Sequence, residues 1–116
     1  MLTAKLGKAK GPSRYFEFLI DSGSDYTIIP KSDAEILEVH YDQLESKEIK
    51  VEAANLTVMH GKEAKLKIEI MGEILTIPVL ITKEEVDRLL GRKGVFTKFD
   101  ITFKEKAGVV IFKSND

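Results

Sequence analysis

The stretch Phe18-Leu19-Ile20-Asp21-Ser22-Gly23-Ser24-Asp25-Tyr26-Thr27-Ile28-Ile29-Pro30 holds a strand, a break and a second strand within thirteen residues. From Arg14 to Asp21 the chain alternates, with Phe16, Phe18 and Ile20 on one face and Glu17 on the other, the period of a half-buried strand. Ser22-Gly23-Ser24-Asp25 breaks it with turn residues. The β-branched run Thr27-Ile28-Ile29 then reads as a short strand stopped by Pro30. An apolar strand thus delivers a carboxylate, a hydroxyl and a glycine in succession. A strand end is a rigid mount for Asp21. Gly23 lets backbone amides approach that carboxylate, and the hydroxyls of Ser22 and Ser24 are placed to orient it. An Asp-Ser-Gly turn after a strand also occurs with no chemistry attached, so the triplet alone does not decide a function.

Outward from this segment the chain reads as mostly β. Upstream, Gly11-Pro12-Ser13 marks a turn, and the basic segment Met1 to Lys10 is assigned no element. Downstream, Ser32 with Glu35 forms a capping box that predicts a helix over Asp33 to about Glu38. Tyr41 to Lys47 is polar and reads as a loop. Ile49, Val51 and Ala53 alternate as a strand, Ala54-Asn55 turns the chain and Leu56 to His60 returns it. Gly61-Lys62 is a second turn signal. Ala64, Leu66, Ile68 and Ile70 alternate with Lys65, Lys67 and Glu69, and Gly72-Glu73 turns that strand into Ile74 to Ile81. Pro78 within this run predicts an edge strand or a bulge. Thr82 and Glu85 form another capping box, and Val86, Leu89 and Leu90 recur at helical spacing up to Gly91. A helical turn over Gly94 to Phe99 and a hairpin of Asp100–Phe103 with Val109–Phe112 around Ala107-Gly108 complete the chain.

Composition narrows the chemistry. At 116 residues the chain has room for one domain, spanning 1–116. It has no cysteine, which excludes disulfides, thiolate zinc sites and cysteine nucleophiles. Two histidines, His40 and His60, do not make a multi-histidine metal centre, so no metal or cofactor is expected. A net charge of −1 does not fit a chain built to neutralise nucleic-acid phosphates. No apolar run approaches a membrane span, and no apolar h-region follows the basic N-terminus, so a soluble cytoplasmic chain without membrane contact is expected.

A second segment gives the first its context. Leu89-Leu90-Gly91-Arg92 leads into Gly94 to Phe103. Together the two segments resemble the retropepsin-like aspartic proteases. That family carries an apolar-apolar-Asp-Thr/Ser-Gly-Ala/Ser loop, here Leu19 to Ser24. It also carries an apolar-apolar-Gly-Arg segment before a short helix and a last strand, here Leu89 to Arg92. The resemblance spans roughly Arg14 to Phe112. It implies a closed, Greek-key-like β-barrel with one or two short helices, and an aspartic endopeptidase acting on peptides. Two carboxylates sharing one proton would activate a water, since like charges a few ångströms apart cannot both ionise cheaply. The chain holds one Asp-Ser-Gly, so the resemblance implies a homodimer with one catalytic Asp21 per subunit at the two-fold axis.

Other roles follow residue by residue from the same resemblance. Ser22 would brace the loop across the axis, Gly23 would bring backbone to the substrate, and Asp25 would pair with Arg92 beside Gly91. The substrate-covering flap would fall over Ile49 to His60, tipped by Ala53, Ala54 and Asn55 without a glycine, which makes a stiffer tip. Phe96, Phe99, Phe103 and Phe112 are expected in the core or the dimer interface. The alternative function is a catalytically inactive module of the same fold that dimerises or binds a peptide along a sheet edge.

Overall fold

The computed structural model describes all residues except Ser22, 53–56, Thr97, 105–108 and 115–116; for 100–104, 109, 110, 112 and 114 it describes the backbone alone. The chain runs β1 (Leu2–Gly7), β2 (Ser13–Ile20), β3 (Thr27–Pro30), α1 (Lys31–Ile36), a 3-10 turn (Tyr41–Gln43), β4 (Ile49–Glu52), β5 (Val58–Ile70), β6 (Glu73–Thr82), β7 (Leu89–Leu90), β8 (Phe99–Lys104) and β9 (Val109–Ser114). The main sheet has the order β1-β2-β7-β3-β6-β5-β4, and β1 also pairs with β5. That last pairing, through Lys5↔Glu69, Leu6↔Ile68 and Gly7↔Lys67, closes six strands into a barrel, with β4 appended to β5. The expected closed barrel with few helices is observed. Closure removes the open edges a flat sheet would leave. No helix among the described residues is long and apolar enough to cross a membrane.

Strand alternation fills the barrel. Leu6, Phe18, Ile29, Ile68, Ile77, Val79, Ile81 and Leu90 are fully buried and belong to one apolar cluster. The parallel pairs β2–β7 and β3–β6 sit side by side. All four residues of β3 are buried, as expected of parallel strands covered on both faces. Ile29, paired with Ile81, belongs to the core. Ile28, paired with Leu80, belongs to a second apolar group with Met59, packed by Val51 of β4. The β4–β5 hairpin therefore covers the outer face of the same strands that floor the barrel.

Several local expectations are corrected. Helix α1 starts at Lys31, two residues early, with Pro30 rather than Ser32 as its N-cap and no side-chain cap bond. Pro30 has the fixed φ a helix entry needs and carries no N–H to leave unpaired. Gly61 does not turn the chain but lies inside β5, opposite Thr82. A Cβ there would come within 2.8 Å of Leu80 Cδ1 and 3.0 Å of the Ile81 carbonyl, so the glycine serves close strand approach. Pro78 causes no bulge and lies opposite Lys65 in an unbroken ladder; β3 joins β6 only from Val79 onward, so no second ladder needs its missing N–H. The Thr82–Glu85 pair caps no helix. Thr82 ends β6, its hydroxyl donates to the Glu84 carbonyl at 2.8 Å, and Leu89–Leu90 form a strand.

The expected hairpin turn falls one residue earlier than Gly72-Glu73: Met71 and Gly72 are both at positive φ, as a two-residue hairpin requires, and Glu73 already pairs with Ile70. Other expectations hold. Helical turns follow β7, with Phe96 N–H on the Arg92 carbonyl at 3.0 Å and Phe99 N–H on the Val95 carbonyl at 3.1 Å. Phe99 is buried and Phe96 packs against the core. The side chains of Phe103 and Phe112 and the Ala107-Gly108 turn lie outside the described residues, while β8 and β9 pair as a separate two-stranded sheet.

The strand the sequence reading omitted is β1, whose Leu6 is fully buried. Replacing it with alanine should cost about 2–5 kcal/mol in urea unfolding, the usual range for a buried leucine. A change below about 0.5 kcal/mol, typical of surface sites, would mean that β1 does not close the barrel.

Candidate active site

The Asp21 loop is built from main chain on three sides. Strand β2 ends at Ile20, and β7 lies parallel beside it, Leu19 opposite Leu89 and Ile20 opposite Leu90. The Leu19 amide donates to the Arg88 carbonyl at 2.9 Å and the Asp21 amide to the Leu90 carbonyl at 3.0 Å. The loop folds back as the Ser24 amide donates to the Asp21 carbonyl at 3.2 Å. The Asp21 carboxylate accepts the Gly23 amide through Oδ1 at 2.9 Å. An amide-to-carboxylate bond of this kind is charge-assisted and fixes the group's direction. A Cβ on Gly23 would lie 3.3 Å from that same oxygen, so glycine keeps the approach unhindered. Among the described residues Asp21 Oδ2 has no hydrogen-bond partner. The Ser24 hydroxyl donates not to Asp21 but to the Tyr26 carbonyl, at 2.8 Å, bracing the turn.

Gly91 locks the loop from behind. Its amide donates to the buried Thr27 hydroxyl at 3.1 Å. A Cβ on Gly91 would collide with the Tyr26 carbonyl and lie 2.9 Å from the Ser24 carbonyl. The next two amides continue the clasp: Arg92 N–H reaches the Ser24 carbonyl and Lys93 N–H the Asp25 carbonyl, both at 2.9 Å. The Lys93 ammonium sits 4.4 Å from the centre of the Tyr26 ring. The two sequence segments singled out above are thus stitched together, but by backbone. The expected Asp25–Arg92 ion pair is not formed in the single chain. Both residues are exposed, where such a pair gains little.

The arginine that does pair is Arg88. Its Nε donates to Asp33 Oδ2 at 2.6 Å, its NH1 to the Glu17 carbonyl at 3.3 Å, and its guanidinium stacks 4.9 Å from the Phe16 ring centre. Asp33 is only 8% exposed, so α1 is tied to β2 and β7 through a shielded ion pair. Arg88 and Asp33 are 55 residues apart, and no local pattern signals their pairing. The Thr27 hydroxyl was likewise missed: in the sequence it is one more β-branched strand residue.

Asp21, Gly23, Ser24 and Asp25 line a cleft of about 460 Å³ whose walls are Tyr26, Ile28, Val51, Glu52, Met59, Leu80 and Leu89. A second cavity of about 530 Å³ shares Ile28, Met59 and Leu89 and extends toward Thr57 and the segment Glu85 to Asp87. Ser22 and the expected tip residues Ala53, Ala54 and Asn55 lie outside the described residues. Gly91 sits behind the cleft, and Arg92 does not line it.

The Asp21 carboxylate thus stands at a strand end, fixed by an amide two residues on, beside a cleft walled largely by apolar side chains. The sequence profile of an aspartyl protease family matches residues 6–93, from β1 to the clasp. The chain belongs to this retropepsin-like aspartyl protease family. A search of curated proteins returned no match. The matched span runs from the end of β1 through the other five strands of the closed barrel to both halves of the backbone clasp.

The clasp sets an order of sensitivities. Gly91→Ala must displace the Tyr26 carbonyl and should destabilise the protein by more than about 2 kcal/mol, as overpacking against fixed backbone does. Arg92→Ala should stay within about 0.5 kcal/mol, as an exposed charge does. Urea unfolding of both variants checks this, and the reverse order would show that the guanidinium holds the loop.

Proposed function

We propose that the chain is an aspartic endopeptidase whose active unit is a two-fold homodimer with one Asp21 from each subunit. The observation that carries the reading is the Asp21 carboxylate, held by the Gly23 amide at 2.9 Å in a cleft walled by apolar side chains. With Oδ1 committed, Oδ2 remains for proton traffic. One Asp-Ser-Gly per chain supports a shared site. So does the separate β8–β9 sheet, because two strands alone are marginal in water and gain from a partner. Exposed Ile111 on β9 adds apolar surface for that contact.

In this mechanism one Asp21 of the pair is ionised and its twin protonated, because two adjacent like charges are costly. The ionised carboxylate takes a proton from water as the oxygen attacks the scissile carbonyl carbon. The protonated carboxyl gives its proton to the carbonyl oxygen, producing a neutral gem-diol. Proton transfer to the amide nitrogen then lets the C–N bond break, yielding a carboxylic acid and an amine. No acyl-enzyme forms. Ser22 and Ser24 brace the loops, and Gly23 and the β4 and β5 backbones flank an extended peptide. Apolar substrate residues beside the scissile bond fit Ile28, Met59, Leu80 and Leu89.

Asp21→Asn keeps size but removes the titrating group. It should lower cleavage of a diverse peptide library by at least about 10²-fold, within the range for loss of general acid–base chemistry. Circular dichroism and sedimentation should show fold and dimer retained. Wild-type activity in the Asn variant would overturn the proposal. Peptide binding without cleavage by either protein would establish the inactive binding module instead.

A further inference from the structure

The β4–β5 hairpin leaves the barrel at one residue. Strand β5 pairs with β6 from Ile70↔Glu73 to Gly61↔Thr82, and with β4 from Gly61↔Ile49 to Val58↔Glu52. Beyond Gly61 the hairpin therefore has lost its ladder to the barrel. His60 is the first residue past that boundary, and segment 83–84 grips it on both sides. Its amide donates to Glu84 Oε1 at 2.8 Å, its ring Nδ1 contacts Glu84 Oε2 at 2.7 Å, and its carbonyl accepts the Lys83 amide at 2.9 Å. A carboxylate only accepts hydrogen bonds, so Nδ1 carries the proton. Both oxygens of one carboxylate are spent on one residue, and the adjacent Met59 lines the cleft that holds Asp21.

We propose that His60 is a positioning residue. Through Glu84 it fixes the stem of the β4–β5 hairpin, and with it Met59 and Val51, over the Asp21 cleft. The inference rests on the reading of that cleft as a peptide site. The pH dependence follows from the Glu84 carboxylate. The His60 ring N–H, and after it the His60 amide, hold the Glu84 carboxyl below the ordinary glutamate range. The contribution of Glu84 is therefore complete above that ordinary range and is lost as pH falls through its lowered value. Protonation of the Glu84 carboxyl removes the charge to which the His60 amide and ring N–H are bonded, and the grip weakens with it.

The charged neighbours do not replace either partner. Lys50 lies opposite His60 on β4, and Lys62 follows it on β5, where its ammonium donates to the Tyr41 and Leu44 carbonyls. Lys83 pairs with Glu48 at 3.2 Å, and that contact, rather than His60, is the main cause of Glu48's lowered titration. The Tyr41 hydroxyl, near Glu48 and Glu84, is pushed up to about 12, chiefly by burial, and stays neutral throughout.

The test is NMR-detected hydrogen exchange on the full chain between pH 3 and 6, corrected for intrinsic rates. It compares wild type, Glu84→Gln and His60→Asn. The His60 and Glu84 side chains are 41% and 36% exposed, so the effect is modest. Wild-type protection at Met59 and His60 should fall about two- to fivefold as pH drops from about 6 to about 3, while Ile68 in the barrel stays constant. Glu84→Gln should show a flat profile and His60→Asn a smaller fall. A flat wild-type profile, or the full wild-type fall in either variant, overturns the proposal. Peptide KM should rise as pH drops over the same interval in wild type and not in Glu84→Gln, with kcat following its own profile. Because exchange needs no catalysis, an inactive protein would defeat the peptidase reading without touching this result.

Discussion

Everything in the site depends on a two-residue strand. Leu89 and Leu90 lie between β2 and β3, parallel to one and antiparallel to the other. The Leu90 carbonyl receives the Asp21 amide, and the glycine that follows is pressed onto the Tyr26 carbonyl. Without this wedge, β2 and β3 would be separate strands joined by a loose turn, and the carboxylate would have no fixed direction. Glycine is required because the approach is backbone to backbone, closer than any side chain permits. The loop is thus held by partners that do not titrate and cannot rotate away.

The strands that position the carboxylate also form its surroundings. In β3 and β6, Ile29 and Ile81 face the barrel core, while Ile28 and Leu80 face the cleft and are covered by Met59 and Val51. The packed core and the cleft wall are therefore opposite faces of one sheet, and a core change in β3 or β6 will move the cleft wall. The irregular segment from Thr82 to Arg88 is pinned at both ends, through Glu84 to His60 and through Arg88 to Asp33. It joins the hairpin stem, the barrel and the one helix.

Legibility in the sequence tracked how local each cause was. The β2 alternation, the strand ending in Ile70 with a hairpin turn after it, set one residue late at Gly72-Glu73, and the Asp21 loop could be read because their signals lie within a few residues. The Leu89–Leu90 strand was read as helix: Val86, Leu89 and Leu90 have helical spacing, and only pairing with residues about 70 positions away makes them a strand. Gly61 looked like a turn because glycine signals both turns and close approach, and Leu80 decides between them. Strand β1 was passed over because the segment Met1 to Lys10 was read only as basic, although Leu2, Ala4 and Leu6 alternate in it and it closes the barrel. At the site, the resemblance pointed to Asp21, Gly23 and Gly91, which lie together in one loop and its backing. It led to Arg92 as the loop's ionic anchor, whereas the main chain does that work and Arg88 makes the shielded pair. Nothing in a linear pattern distinguishes two arginines four residues apart when their partners lie on other strands.

The central claim is that one active site needs Asp21 from two chains, and subunit mixing tests it most directly. Wild-type and Asp21→Asn chains are combined in equal amounts, dissociated, reassociated at fixed total concentration and assayed for peptide cleavage. If the two carboxylates share a site, only wild-type homodimers act, and random pairing leaves about a quarter of the activity of an all-wild-type sample. About half the activity would mean that each chain works alone, and would contradict the shared-dyad account.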